Sequence, residues 1–142
     1  MSLSAVLIPT REVTLGEVRV PVRGISLNDI SSMLRDYLAE ISALFDMYDN
    51  EETRETALAA SASFAIRLVQ ECPDVAAQCI VLVTDSPQSE LEKAKRFPLG
   101  WQVEVMRVAL EVTFEEAGGA KKFLDRMMST IRVMRPKTAS LG

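Results

Sequence analysis

From Ser26 onward the apolar residues of this chain recur at spacings of three and four, which is the pattern of helices that bury one face. The clearest run follows Ser26 and covers residues 30–48. Ser26 can cap the amino end of this helix, and Asp29 can return the capping hydrogen bond. Ile25 and Ile30 can pack together across the helix start as a hydrophobic staple. The pattern therefore predicts a helical body that begins at Ser26.

Prolines and glycines divide the rest of this body into further helices. Asp49 or Asn50 can cap a second helix, which Pro73 ends. The nearly all-apolar segment 75–84 predicts a buried helix, although residues 80–83 alone also fit a strand. Three more predicted helices follow: one from Pro87 to Pro98, one over residues 101–116 that ends at Gly118 and Gly119, and one that starts at Ala120.

The segment before the helical body alternates β-branched and polar residues over 11–22, around Leu15 and Gly16. This alternation predicts a short hairpin in which residues 17–22 form the second strand and Pro21 marks the edge. The predicted fold class is mainly α, a bundle of about five to six helices preceded by a short N-terminal β-hairpin. We expect one domain over 1–142, with an arm and hairpin over 1–25, a helical body over 26–135 and a flexible tail over 136–142.

The composition removes several classes of function. The chain has no histidine, which excludes Ser-His-Asp and Cys-His nucleophiles and histidine-ligated zinc or haem. Cys72 and Cys79 are too few for a thiolate metal site and fit the role of small buried hydrophobes. We therefore expect no catalytic residue, no metal, no cofactor, no small-molecule substrate and no enzyme activity.

Charge and hydropathy argue against two further kinds of partner. A formal net charge of −4 argues against nucleic acid, whose phosphates require clustered basic residues. No uncharged stretch approaches the ~18 apolar residues of a membrane helix, so we expect no membrane partner. No basic residue precedes the apolar patch at residues 5–8, so we expect no secretory signal and a cytoplasmic location.

Acidic and basic residues are unevenly distributed along the chain. Residues 27–55 hold eight acidic and two basic residues, whereas residues 121–142 hold six basic and one acidic residue. Opposite charges at the two ends permit head-to-tail self-association, and a segregated pair of solvated faces is the common alternative. The homo-oligomer hypothesis predicts that the apparent mass in light scattering falls as salt rises.

Two apolar features could serve either the core or a partner. Trp101 follows a Pro-Leu-Gly sequence, and we expect it to pack the start of its helix into the core. The last helix carries a wide apolar stripe that is rich in methionine, an adaptable side chain in cores and at binding surfaces. What separates the two roles is whether the rest of the domain covers the stripe, which consists of Phe123, Leu124, Met127, Met128, Ile131 and Met134.

Two segments carry a resemblance to a bacteriophage family. Residues 18–30 read VRVPVRGISLNDI, and residues 97–127 read FPLGWQVEVMRVALEVTFEEAGGAKKFLDRM. With the long helix between them, these segments resemble the tail assembly chaperones, also called pre-tape measure proteins, of long-tailed phages and prophages. The resemblance covers roughly residues 12–135. Neither segment is a catalytic signature.

The resemblance implies a small, mostly helical, non-enzymatic protein that binds the long tape measure protein in the host bacterial cytoplasm. Such a protein keeps its partner soluble, helps tail-tube protein polymerise around it and leaves before the virion is finished. A structural virion protein, such as a neck or tail-completion subunit, is the alternative, and its detection in purified particles would favour that class.

On this hypothesis the partner-binding residues lie on the last helix. The apolar set is Phe123, Met127, Met128, Ile131 and Met134, flanked by the basic residues Lys121, Lys122 and Arg126. Helix-in-groove contact would let this stripe receive apolar helical stripes of the partner. We expect Met127→Asp with Ile131→Asp to leave the domain folded and to abolish co-purification, whereas global unfolding would place the stripe in the core.

Overall fold

A computed structural model describes residues 2–46 and 61–134. Within these ranges the structure contains a two-stranded antiparallel hairpin and six α-helices, which confirms the predicted fold class. The predicted cap of the second helix at Asp49 or Asn50 and the predicted tail 136–142 lie outside the described residues. The elements, in order, are β1 (Thr10–Leu15), β2 (Val18–Arg23), α1 (Leu27–Asp46), α2 (Ser61–Glu71), α3 (Pro73–Val83), α4 (Leu91–Lys95), α5 (Leu99–Ala117) and α6 (Ala120–Met134), with short 3-10 turns at Leu3–Ala5 and Gln88–Glu90.

The hairpin turns one residue later than predicted. Leu15 pairs with Val18, so the turn consists of residues 16 and 17 and the second strand begins at Val18. Gly16 occupies this turn with φ +67°, a conformation that glycine adopts without steric cost. The hairpin lies against α5, where Trp101 is half-buried beneath the turn. The Trp101 ring meets the Phe97 ring edge-on, with centroids 5.5 Å apart, and packs against the core as predicted.

The start of α1 confirms the predicted capping box. The Ser26 backbone N–H donates to the Asp29 carboxylate at 2.9 Å. The Asp29 backbone N–H donates in return to Ser26 Oγ at 3.1 Å. These two bonds satisfy backbone donors that a helix start otherwise leaves unpaired, so a local sequence signal sets this boundary.

Helix α3 occupies the centre of the described structure. It packs against α1, α2, α4 and α5, and most of its side chains are buried. Residues 75–83 are helical as predicted, Thr84 caps the carboxyl end of the helix, and the alternative of a strand over residues 80–83 is wrong. Cys72 and Cys79 are both buried and not disulfide-bonded. Burial raises the pKa of the Cys79 thiol to about 12 and also raises the pKa of the Cys72 thiol.

The helix predicted from Pro87 is shorter than expected. Pro87 itself is extended, and a 3-10 turn precedes α4, which has only five residues. Ala94 is the one buried residue of α4, so this segment has little apolar surface whose burial would stabilise a longer helix. Pro98 also restricts the residue before it to extended conformations. The prediction of one continuous helix up to Pro98 is wrong for these two reasons.

Helices α5 and α6 follow the predicted boundaries closely. Gly118 ends α5 with φ +83°, in the left-handed conformation. The Gly119 N–H donates to the carbonyl of Phe114 at 2.8 Å, which pairs a carbonyl at the helix end. Across residues 2–46 and 61–134, none of the helices combines the length and the apolar character that crossing a membrane would require.

Candidate functional site: an open groove beside the last helix

An open groove of about 1100 Å³ lies where the start of α1, the end of α5 and α6 meet. One rim is formed by Ile8 and Pro9, which precede β1. Apart from this rim, much of the wall is apolar, and its apolar residues come from three further parts of the chain. They are Ile25, Leu27, Ile30, Val112, Ala117, Phe123 and Met127.

One part of the groove wall depends on close contact between α5 and residues 24–25, which follow the hairpin. A Cβ at Gly24 would lie 3.3 Å from the Thr113 backbone nitrogen and 3.3 Å from a methyl carbon of Val112. The Ile25 backbone N–H donates to Thr113 Oγ1 at 2.8 Å, and this hydroxyl donates to the Ala109 carbonyl at 2.6 Å. Glycine at position 24 therefore lets the chain approach α5 closely enough to complete the wall.

Arg23 connects the hairpin exit to two other segments. Its guanidinium donates to both carboxylate oxygens of Asp29, at 2.6 and 3.2 Å. It also donates to the carbonyls of Gly24 at 2.9 Å and Leu82 at 2.7 Å, and its Nε donates to Asp85 at 2.9 Å. The hydrogen bond with Asp29 is the main cause of the raised pKa of Arg23, so the arginine remains charged.

Charged side chains surround the apolar wall. Glu116, Asp125 and Arg126 are exposed and line the groove. Farther along α5, Arg11 of β1 donates to Glu111 at 3.0 Å and also pairs with Glu115. These pairs fasten the hairpin to α5 beside the groove. The groove thus combines an apolar interior with a mixed-charge rim.

The rest of the domain covers most of the apolar stripe on α6. Phe123, Met127, Met128 and Ile131 are each 1–7% exposed and belong to the core. The Phe123 ring packs against the Phe114 ring, with centroids 5.5 Å apart. The expectation that Met127→Asp with Ile131→Asp leaves the fold intact is therefore corrected: it would place two carboxylates in the core, and we expect unfolding.

The eight predicted partner-binding residues do not form one surface. Phe123, Met127 and Arg126 contribute to the groove wall. Met128 and Ile131 are buried without lining it. Lys121 and Lys122 are exposed near the start of α6, and Met134, 39% exposed, lies at its end. The partner-binding role of this set stays a prediction, and the structure offers a partner only part of it.

The wall residue Leu27, which is 77% exposed, was not predicted from the sequence as part of a site. Neither were Gly24, Ile25 and Thr113, which also line the groove. A signal for Leu27 was present, because an apolar residue directly after the Ser26 cap lies outside the predicted apolar stripe of α1. The groove as a whole had no sequence signal, since its walls are distant in the chain.

The described part of the chain contains no group of three or more cysteine, aspartate and glutamate side chains placed to hold a metal ion. Four charged residues line the groove: Arg23, Glu116, Asp125 and Arg126. Arg23 is engaged by Asp29 and Asp85. The arrangement is suited to holding apolar surface with a polar border.

Fold and groove together define a small helical protein with an open apolar cleft. A family model described as pre-tape measure protein matches residues 1–141, and the chain belongs to that family. Membership confirms the resemblance drawn from residues 18–30 and 97–127 and connects the chain with phage tail assembly and the tape measure protein. Comparison with curated proteins and with solved structures finds no match.

Proposed function

We propose that this protein is a non-enzymatic tail assembly chaperone that binds the tape measure protein through the groove beside α6. In this role it keeps the tape measure protein soluble and recruits tail-tube subunits during assembly. It acts in the host bacterial cytoplasm and leaves before the virion is complete. The open groove, with an apolar wall from which Leu27 is exposed to solvent, is the observation that supports a binding role most directly.

The groove has the chemistry for helix-in-groove recognition. An amphipathic helix buries an apolar stripe against such a wall while its polar flanks stay at the rim. Leu27 is the most exposed of the groove's apolar wall residues, at 77%, so a partner can cover it without any change in the core. Glu116 and Arg126 at the rim can pair with charges of either sign on the flanks of a bound helix.

Co-expression with the tape measure protein tests this function. We expect the wild-type chain to co-purify with it and Leu27→Asp to reduce the apparent affinity by about tenfold or more, because binding would bury a charge instead of a leucine. Leu99→Asp is the matched control, since Leu99 is also the first residue of a helix, is 58% exposed and does not line the groove. Equal capture by both variants would contradict groove binding.

The fate of the protein in the finished particle separates the chaperone from a structural subunit. Peptides of this chain should be absent from purified virions when tail-tube peptides are readily detected. Stoichiometric recovery with the particles would instead identify a neck or tail-completion protein.

A further inference from the structure

The segment before β1 exposes an unusual amount of apolar surface. Residues 2–9, here called the N-terminal arm, contain no charged residue. Leu3, Val6, Leu7 and Ile8 are 88%, 65%, 87% and 71% exposed. Single exposed apolar side chains are common on proteins, whereas a contiguous exposed group marks a contact surface. The arm therefore has the character of a docking segment.

The arm and the groove are neighbours, yet neither covers the other within residues 2–46 and 61–134. Ile8 and Pro9 form one rim of the groove. Leu3, Val6 and Leu7 are not among the lining residues, so the arm does not fill the groove of its own chain. The two surfaces match in chemistry, since an uncharged apolar segment stands beside an open apolar wall.

The junction between the arm and β1 disfavours folding back into the same groove. Ile8 precedes Pro9, and a residue before proline is restricted to extended conformations. The proline ring also fixes its own φ, and β1 begins directly afterwards at Thr10. A sharp reversal at this point would oppose both restrictions, so the arm is better placed to reach outward than to turn inward.

We infer that, in the free protein, the N-terminal arm of one copy occupies the groove of a second copy. The exposed apolar residues Leu3, Val6 and Leu7 of the arm lie outside the groove, so the contact is head-to-tail and each bound copy still presents a free arm or a free groove. The contact is apolar and uncharged on the arm side, so salt should not weaken it. This inference concerns the chain alone and does not depend on the proposed function.

Light scattering on the full chain over a dilution series tests the inference. The wild type should gain mass with concentration, to the same extent at low and high salt. Leu7→Asp in the arm and Leu27→Asp in the groove should each remain monomeric. Val18→Asp is the matched control, because Val18 is an apolar residue of the hairpin that is 62% exposed and does not line the groove, and this variant should associate like the wild type.

Mixing the two monomeric variants gives the sharper result. The Leu7→Asp chain retains an intact groove and the Leu27→Asp chain retains an intact arm, so their mixture should form particles of two chains and none larger. A wild type that is monomeric at every concentration, a mixture that stays monomeric, or a mass that falls with salt would each overturn the inference. Circular dichroism of both variants must match the wild type for the comparison to count.

Capture of the tape measure protein separates this inference from the proposed function. Leu7→Asp should still capture it, because only the arm is altered, whereas Leu27→Asp should not. If neither the wild type nor any variant captures the tape measure protein while the mass data follow the expected pattern, the proposed function is wrong and arm exchange stands. The reverse result, capture by a strictly monomeric wild type, leaves the chaperone role and removes arm exchange.

Discussion

Arg23 shows how a single side chain can join three parts of this fold. A guanidinium has five N–H donors, and Arg23 makes five hydrogen bonds, to Asp29, Asp85 and the carbonyls of Gly24 and Leu82. Its side chain is 14% exposed and that of Asp29 is 3% exposed. Lysine cannot reproduce this planar set of donors, so the hairpin exit, α1 and the segment after α3 depend on arginine here.

Asp29→Asn should lower the free energy of unfolding by about 3 kcal/mol, because it removes the buried partner of the ion pair and leaves the arginine charge with only the exposed carboxylate of Asp85. Asp85→Asn is the matched control, since Asp85 also pairs with Arg23 but its side chain is 73% exposed. That change should cost less than about 1 kcal/mol. Urea unfolding of both variants measures the difference. Similar losses in the free energy of unfolding would show that burial does not determine how much each partner of Arg23 contributes to stability.

The same ion pair predicts a dependence of stability on pH. Burial by itself raises the pKa of Asp29, but hydrogen bonds from Arg23 and Ser26 outweigh it and hold this pKa below its ordinary value. A carboxyl with a lowered pKa in the folded state stabilises the fold fully above the unfolded value, about 4, and loses that contribution as pH falls through the folded value.

The melting temperatures of wild type and Asp29→Asn should therefore differ most near about pH 7, and the difference should shrink as the pH falls below about 4. Glu104 also has a lowered pKa, chiefly through its hydrogen bond with Arg107. This pair is present in both proteins, so its effect cancels in the comparison. A difference that stays constant over this range would contradict the assignment to Asp29.

Among the elements, those with local signals were predictable and those set by distant contacts were not. The Ser26 and Asp29 cap and the left-handed Gly118 are encoded within a few residues, and both were predicted. The stripe on α6 was visible as a pattern, but its burial depends on contacts with α1 and α5. Periodicity identifies an apolar face without saying whether this domain or a partner covers it.

The contact between the hairpin exit and α5 can be tested by adding one methyl group. Gly24→Ala should destabilise the protein by about 1–3 kcal/mol, because the new Cβ crowds Thr113 and Val112 at 3.3 Å. Gly100→Ala is the control, since a Cβ there meets nothing within 4 Å and alanine favours the helix. Thermal unfolding should show a loss for the first variant and no loss for the second.

For the whole molecule, sequence patterns predicted the fold class, whereas the candidate site needed the structure. The groove assembles residues from the arm, the start of α1, the end of α5 and α6, and no periodicity connects these parts of the chain. Three of the eight residues proposed from sequence, Phe123, Met127 and Arg126, lie in its wall. Leu27 and Ile8 were missed because an exposed apolar residue stands outside the patterns that mark a core.

Because both native thiols are buried, a cysteine introduced into the arm can be labelled selectively and used to follow it. Cys72 and Cys79 are the only cysteines of the chain, and both are buried with raised pKa values, so few thiolates are available to react with a maleimide dye. A cysteine introduced at Ser4, an exposed polar residue of the arm, would be labelled far faster than either native one. Fluorescence from that position could then report, without altering the core, when the segment passes from water into an apolar environment.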